Sequence, residues 1–264
     1  MFLGLEGRSF CQADPAITAW VSMAWLQSKK AAVPLKHIFD EENLSESDLK
    51  QKKKALNFEF DSLSKEIAKH EKDPALYFKR GIVKVQLDAD NSAKDDFDKS
   101  YFYGNRTREL YMNLGEVCYR VGFRSNSISY FNAVLKKDST DGEAYLQRGI
   151  AKLYDGRTGF NPAEKRAAES IPDFTKALVY RPEMKEAVIL RGLANYYSDK
   201  NEAAIRDLLL ATEFIPSKPI AFVFLAKIYI ETDQKQAACA TLRKAETAGI
   251  GIDKKLISRS CGKH

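Results

Sequence analysis

From Pro74 to Ile252 the spacing of small, apolar and polar positions repeats with a period of about 34 residues. Segments starting at Pro74, Arg108, Gly142, Lys185 and Pro219 each carry a small residue at the eighth place: Gly81, Gly115, Gly149, Gly192 and Ala226. Four places earlier stands a bulky residue: Tyr77, Tyr111, Tyr145, Val188 and Phe222. A second large apolar residue follows sixteen places later: Phe97, Phe131, Phe174, Leu208 and Leu242. The third copy keeps this register only with an insertion of about nine residues, as internal-repeat units tolerate. Three places further on are Ser100, Val134, Ala177, Ala211 and Ala245. Pro182 and Pro216 close two of the copies.

This pattern resembles the tetratricopeptide repeat (TPR). The resemblance implies an all-α fold, a right-handed superhelix of antiparallel helix hairpins, with five repeats at 74–107, 108–141, 142–184 (carrying the insertion), 185–218 and 219–252. It also implies a concave groove lined by the first helix of each repeat. The groove-facing places carried over from the family hold Phe78 and Ile82 in copy one, and Met112, Glu116 and Tyr119 in copy two. Copy three supplies Leu146, Ile150 and Tyr154; copy four supplies Ile189, Leu193 and Tyr197; copy five supplies Lys227. Such an apolar, tyrosine-rich wall edged by carboxylates suits a protein or peptide segment that is apolar with some basic character. Chaperone-binding TPRs hold a terminal carboxylate through polar groove residues. Only Asn113 fits that clamp here, and Phe78, Ile82 and Leu146 occupy places where polar residues are needed.

Two further places vary together. Arginine precedes the small residue in copies one, three and four (Arg80, Arg148, Arg191), and in the same copies aspartate precedes the second large apolar residue (Asp96, Asp173, Asp207). Copies two and five have Leu114 with Tyr130 and Leu225 with Thr241. The covariation predicts an arginine–carboxylate pair joining the two helices of a unit, a structural role suited to the planar guanidinium.

The flanks have their own signals. Residues 46–73 read as a helix that covers the first repeat as a half-repeat cap, and 253–264 as a C-terminal capping helix and tail. Residues 1–45 form an extension whose apolar run, Ala16 to Leu26, holds Trp20 and Trp25 and follows Asp14-Pro15, a helix-start signal. It reads as a helix that docks on the array or, alternatively, as a membrane-surface or partner-binding helix. A third placement, folded back into the groove, suits the two tryptophans. The insertion, about Asp155 to Glu169, reads as a loop and a short helix, with Ser170-Ile171-Pro172-Asp173 starting the repeat's own second helix afresh.

Composition then narrows the function. A net charge of +6 over 264 residues is mild, and the groove places are nearly free of basic residues, so nucleic-acid binding is the weaker alternative. Four cysteines without a CxxC pair and three histidines offer no zinc site. No catalytic triad, metal-ligand set or phosphate loop is recognisable, so no enzyme activity and no cofactor are expected. The expected function is a non-catalytic scaffold, with an envelope-associated subunit anchored by the N-terminal helix as a further alternative. No run reaches the length of a membrane span. The N-terminus, with Glu6 and Arg8, lacks the form of a secretory signal, which favours a cytoplasmic protein. The stretch from Ala238 to Cys261 resembles the close of Bacteroidetes TPR proteins. That likeness implies that Cys239 and Cys261 lie close together, and a disulfide between them would place the chain in the periplasm or outside the cell.

Overall fold

The computed structural model describes residues 46–153, 164–214, 219–250, 257 and 260–262. Ala16–Leu26, Tyr154, most of the insertion and the bulk of 252–259 lie outside the described residues. Eleven helices are present among those described, and no strand: α1 (Glu46–Lys69), α2 (Pro74–Gln86), α3 (Asp90–Phe102), α4 (Arg108–Arg120), α5 (Arg124–Lys137) and α6 (Gly142–Leu153). They continue as α7 (Glu164–Tyr180), α8 (Lys185–Tyr197), α9 (Asn201–Phe214), α10 (Pro219–Glu231) and α11 (Lys235–Thr247). Each helix packs chiefly on its neighbours in the chain, which makes a linear array of hairpins.

Local chemistry sets the helix ends. Asp73 caps α2 by accepting a hydrogen bond from the backbone of Ala75 at 2.8 Å, with Pro74 in the first turn, where its missing N–H costs nothing. Thr107 caps α4 through the backbone N–H of Leu110 at 3.3 Å. The turn between the two helices of a hairpin recurs. Asp88, Gly122, Asp199 and Asp233 all take a left-handed conformation, with φ between 56° and 86°. The next residue then donates back across the helix end, as in Ala89 to Lys84 (2.9 Å), Phe123 to Cys118 (2.7 Å), Lys200 to Asn195 (2.9 Å) and Gln234 to Tyr229 (2.7 Å). This is the Schellman closure, and aspartate tolerates its positive φ better than most side chains.

Within a hairpin, the small residue of the first helix meets the large apolar residue of the second. A Cβ added at Gly81 would stand 2.5 Å from Phe97 Cε1, at Gly115 2.6 Å from Phe131 Cε1, and at Gly149 2.7 Å from Phe174 Cε1. The three rings are fully buried. At Gly192 the ring is replaced by Leu208, whose nearest carbon lies at 3.0 Å. The capping helix α1 continues this logic: Arg80 of α2 reaches Ser64 of α1 at 3.2 Å, as Arg148 of α6 reaches Asn132 of α5 at 2.6 Å. At the far end Ile257 packs on Ala226, Ala238 and Leu242.

One element differs from the sequence expectation. The second helix of the third repeat does not start afresh at Ser170; α7 runs unbroken from Glu164 with Pro172 inside it. The added N-terminal turns bury Ala167 and Ser170 against the array, and Ser170 Oγ donates to the Ala167 carbonyl at 2.7 Å. That burial offsets the cost of an interior proline, about 3 kcal/mol.

The close approach makes a graded prediction. Gly115→Ala should destabilise the fold by about 1–3 kcal/mol through overpacking on Phe131. Gly192→Ala should cost much less, because Leu208 can yield and alanine favours helix by about 1 kcal/mol. Urea unfolding of both variants checks the order, and an equal loss would refute this account of the small residue.

Candidate binding groove

In the three charged repeats the arginine–aspartate pairs are two-point contacts. Arg80 donates to Asp96 at 2.8 and 2.7 Å, Arg148 to Asp173 at 3.0 and 2.6 Å, and Arg191 to Asp207 at 3.0 and 2.7 Å. All three aspartates are buried. The hydrogen bonding of Arg80 to the Asp96 carboxylate is the main reason that its guanidinium is held above its ordinary pKa. Sequence reasoning missed a third member one helical turn after each arginine. Lys84 meets Asp96 at 2.8 Å, Lys152 meets Asp173 at 2.8 Å, and Asn195 donates to Asp207 at 3.1 Å. The spacing of four was visible in the chain, and so was the substitution pattern, since the uncharged repeats carry Cys118 and Tyr229 at that place. Burial, with a smaller contribution from the Asp98 charge, pushes the Cys118 thiol up to about 11, as expected of an inert core cysteine.

The places that the resemblance assigns to the groove lie on the first helices α2, α4, α6, α8 and α10. Met112, Glu116, Leu146, Ile150, Ile189 and Leu193 are buried there, and Phe78, Ile82, Tyr119, Tyr197 and Lys227 are half-buried. Tyr154 lies outside the described residues. Phe78 leans on Phe97, with ring centroids 5.8 Å apart. Lys227 stands over the rings of Tyr196 and Phe224 at 5.6 and 5.9 Å. The Tyr196 hydroxyl donates to the Glu231 carboxylate at 2.9 Å, tying the first helices of the last two repeats together.

A polar knot between repeats two and three went unnoticed in the sequence. Arg108, at the start of α4, donates to Asp141 at 2.6 and 3.1 Å and to Glu143 at 2.9 Å. Glu143 Oε1 is buried with no hydrogen-bond partner among the described residues. Burial pushes the Glu143 carboxyl up to about 7, and the Arg108 guanidinium works against this without overcoming it. Arg108 itself is held above its usual value, first by its hydrogen bond to Asp141.

The array is a stack of hairpins with a small-residue contact in each. Among solved structures, MamA residues 41 to the end from Desulfovibrio magneticus RS-1 superimposes with a TM-score of 0.59 at 16% identity, over 72% of this chain and 97% of its own. The fold is the tetratricopeptide repeat fold. YrrB, a TPR protein with an unusual peptide-binding site, is similar with a TM-score of 0.54 at 22% identity, covering 76% of this chain and 95% of YrrB. A TPR protein from Parabacteroides merdae ATCC 43184 matches 94% of this chain and 84% of its own, at 16% identity and a TM-score of 0.52. No family model and no curated protein matches the sequence. Among the described residues of this TPR array, no helix is long and apolar enough to cross a membrane, and no cluster of side chains is arranged to hold a metal ion.

Two outcomes follow for the buried charges. Asp173→Ala strands Arg148 and Lys152 and should cost about 3 kcal/mol or more. The triple variant Arg148→Leu, Lys152→Met, Asp173→Leu should cost less than that single change, as thermal melts would reveal. For Glu143 the raised folded pKa means that the protonated acid is favoured by folding. Its contribution is therefore full below the ordinary glutamate value of 4.5 and is lost as pH rises through about 7. Glu143→Gln should flatten that part of the stability–pH curve; an unaltered slope would assign it to other groups.

Proposed function

We propose that the chain is a non-catalytic scaffold whose TPR array binds a protein or peptide segment along its inner face. The observation that carries this reading is the wall itself. It is apolar and aromatic over successive first helices, with exposed Glu109 and half-buried Glu186 at its edge. A segment alternating apolar side chains with lysine or arginine complements that surface: the apolar groups match the wall and the cations answer the carboxylates. The YrrB neighbour, a TPR protein with a peptide-binding site, supports the same coarse reading. Phe78 and Ile82, half-buried at the first-repeat end, are the natural point of entry.

We also infer that the chain works in an oxidising compartment. Cys239 on α11 is joined by a disulfide to Cys261, 22 residues further on. Cysteine pairs of this kind persist outside the reducing cytoplasm and are rare within it. This supports the periplasmic or secreted alternative over the cytoplasmic one.

Peptide-display selection on the intact protein should enrich apolar sequences that carry Lys or Arg. Phe78→Ala with Ile82→Ala should weaken a selected peptide at least about tenfold, since 1.4 kcal/mol is tenfold and each truncated apolar contact is of that order. Enrichment of acidic sequences, or unchanged affinity in a variant that still melts cooperatively, would overturn the reading. For the compartment, alkylation of protein taken directly from its native cells should leave Cys239 and Cys261 unmodified until a reductant is added. Free thiols at both positions would return the chain to the cytoplasm.

A further inference from the structure

The array has two edges. Short turns make neighbouring helices antiparallel, so the turns between repeats, at 70–73, 103–107, 138–141 and 181–184, fall on one edge, and the turns inside the hairpins fall on the other. The corner between repeats one and two gathers rings and cations at the surface. Phe102, the last residue of α3, is 78% exposed, and Tyr101 before it is 37% exposed. The turn that follows stands clear of the array: Gly104 takes a φ of 103°, and a Cβ built on it would meet nothing within 4 Å. Phe102 meets Tyr103 edge to face at 5.2 Å, Tyr103 stacks on Tyr77 at 5.6 Å, and Tyr101 meets Tyr111 at 6.1 Å. Three exposed cations stand over these rings: Lys99 over Tyr77 at 5.4 Å, Arg106 over Tyr101 at 3.6 Å and Lys137 over Tyr111 at 5.0 Å. Arg106 donates to the carbonyls of Tyr101 and Asn105, and Lys137 to that of Arg106. None of the three cations meets a carboxylate among the described residues. The aspartates of the next corner are engaged elsewhere, Asp138 with Thr140 and Asp141 with Arg108.

We propose that this edge docks on the surface of an anionic lipid bilayer, with Phe102 as its wedge and Lys99, Arg106 and Lys137 on the headgroup phosphates. The charge is complementary. Three cations without a carboxylate partner leave their charge to an outside anion, and each lysine or arginine close to an anionic membrane raises partitioning about fivefold. The rings decide between a lipid surface and a polynucleotide. A strand of bases needs open ring faces to stack on. Here Tyr77 and Tyr111 are buried, Tyr103 is stacked on Tyr77, and Arg106 lies on Tyr101, so no run of open faces exists. What projects is one phenylalanine in a girdle of tyrosines and cations. That is the arrangement of an interfacial anchor: an apolar ring below the headgroups, amphipathic tyrosines at their level and cations on the phosphates. The same edge repeats the pairing further along. Val179, 63% exposed near the end of α7, follows exposed Lys176, and Phe214, 47% exposed at the end of α9, lies under Lys185 at 5.8 Å. A short acidic peptide seated on Lys99 and Arg106 would leave Phe102, Val179 and Phe214 in water, whereas a bilayer extends past one corner. This edge is distinct from the inner wall, and the proposal stands whether or not the groove takes a peptide.

Flotation of the intact protein with lipid vesicles tests the proposal. Vesicles of phosphatidylcholine and phosphatidylglycerol in equal parts should carry the protein upward, and vesicles of phosphatidylcholine alone should not. Phe102→Ala should weaken binding to the anionic vesicles about tenfold. The triple variant Lys99→Gln, Arg106→Gln, Lys137→Gln should weaken it about a hundredfold. All four side chains are exposed, so both variants should melt as cooperatively as the parent, which circular dichroism checks. The variant Lys79→Gln, Lys200→Gln, Lys235→Gln removes the same charge from exposed places off this edge and should bind within about twofold of the parent. Failure of the parent to bind anionic vesicles overturns the proposal. So does an equal loss in the control variant, which would reduce the effect to net charge. Parent-level binding in either edge variant would assign the membrane contact to another part of the chain and overturn it as well. A single-stranded thymine oligonucleotide serves as the rival ligand: edge-dependent capture of it without vesicle binding assigns the corner to a polynucleotide instead. Peptide selection can fail while flotation succeeds, and the reverse, so this result and the scaffold reading are decided separately.

Discussion

The array depends on how closely two helices of a hairpin approach at one point. Where Gly81, Gly115 and Gly149 face Phe97, Phe131 and Phe174, there is no room for even a methyl group. A glycine in mid-helix costs about 1 kcal/mol of helix propensity. That cost is outweighed because the ring then lies against bare backbone and is wholly removed from water. Fixing this contact fixes the hairpin's geometry, and the hairpin's geometry decides which faces are left to meet the next repeat. The aspartate turn, the buried charge cluster and the inner wall all inherit their positions from it.

The charged repeats refine this plan without altering it. Asp96, Asp173 and Asp207 are buried beside two donors each, one of them an arginine with two-point geometry. Repeats two and five replace the whole set with neutral side chains at the same three places and keep the same hairpin. Two chemically unlike solutions at one site mean that the charges specify orientation more than they add stability, in keeping with the desolvation that a buried ion pair suffers.

Much of this was legible in the sequence, for a physical reason. A repeat displays each interaction several times, so the small residue, its apolar partner and the arginine–aspartate covariation stand out against background. What occurs once was hidden. The knot of Arg108, Asp141 and Glu143 joins two particular repeats and has no counterpart to give it away. The continuity of α7 through Pro172 was hidden too, because serine and proline together spell a helix start and only the burial of Ala167 and Ser170 overrules them. The groove places were readable as positions. Their depth of burial was not, since the spacing of a repeat marks a place without saying how far neighbouring side chains enclose it.

The covalent closure at the far end bears on how the array comes apart. A stack in which each unit touches only its neighbours loses order from its ends inward, and whichever end is weaker sets the direction. The loop between Cys239 and Cys261 removes about 3 kcal/mol of chain entropy from the unfolded last repeat. The first end has no such staple among the described residues and rests on the packing of α1. The last hairpin, tied covalently, therefore resists opening from its own end and is one from which order can spread back.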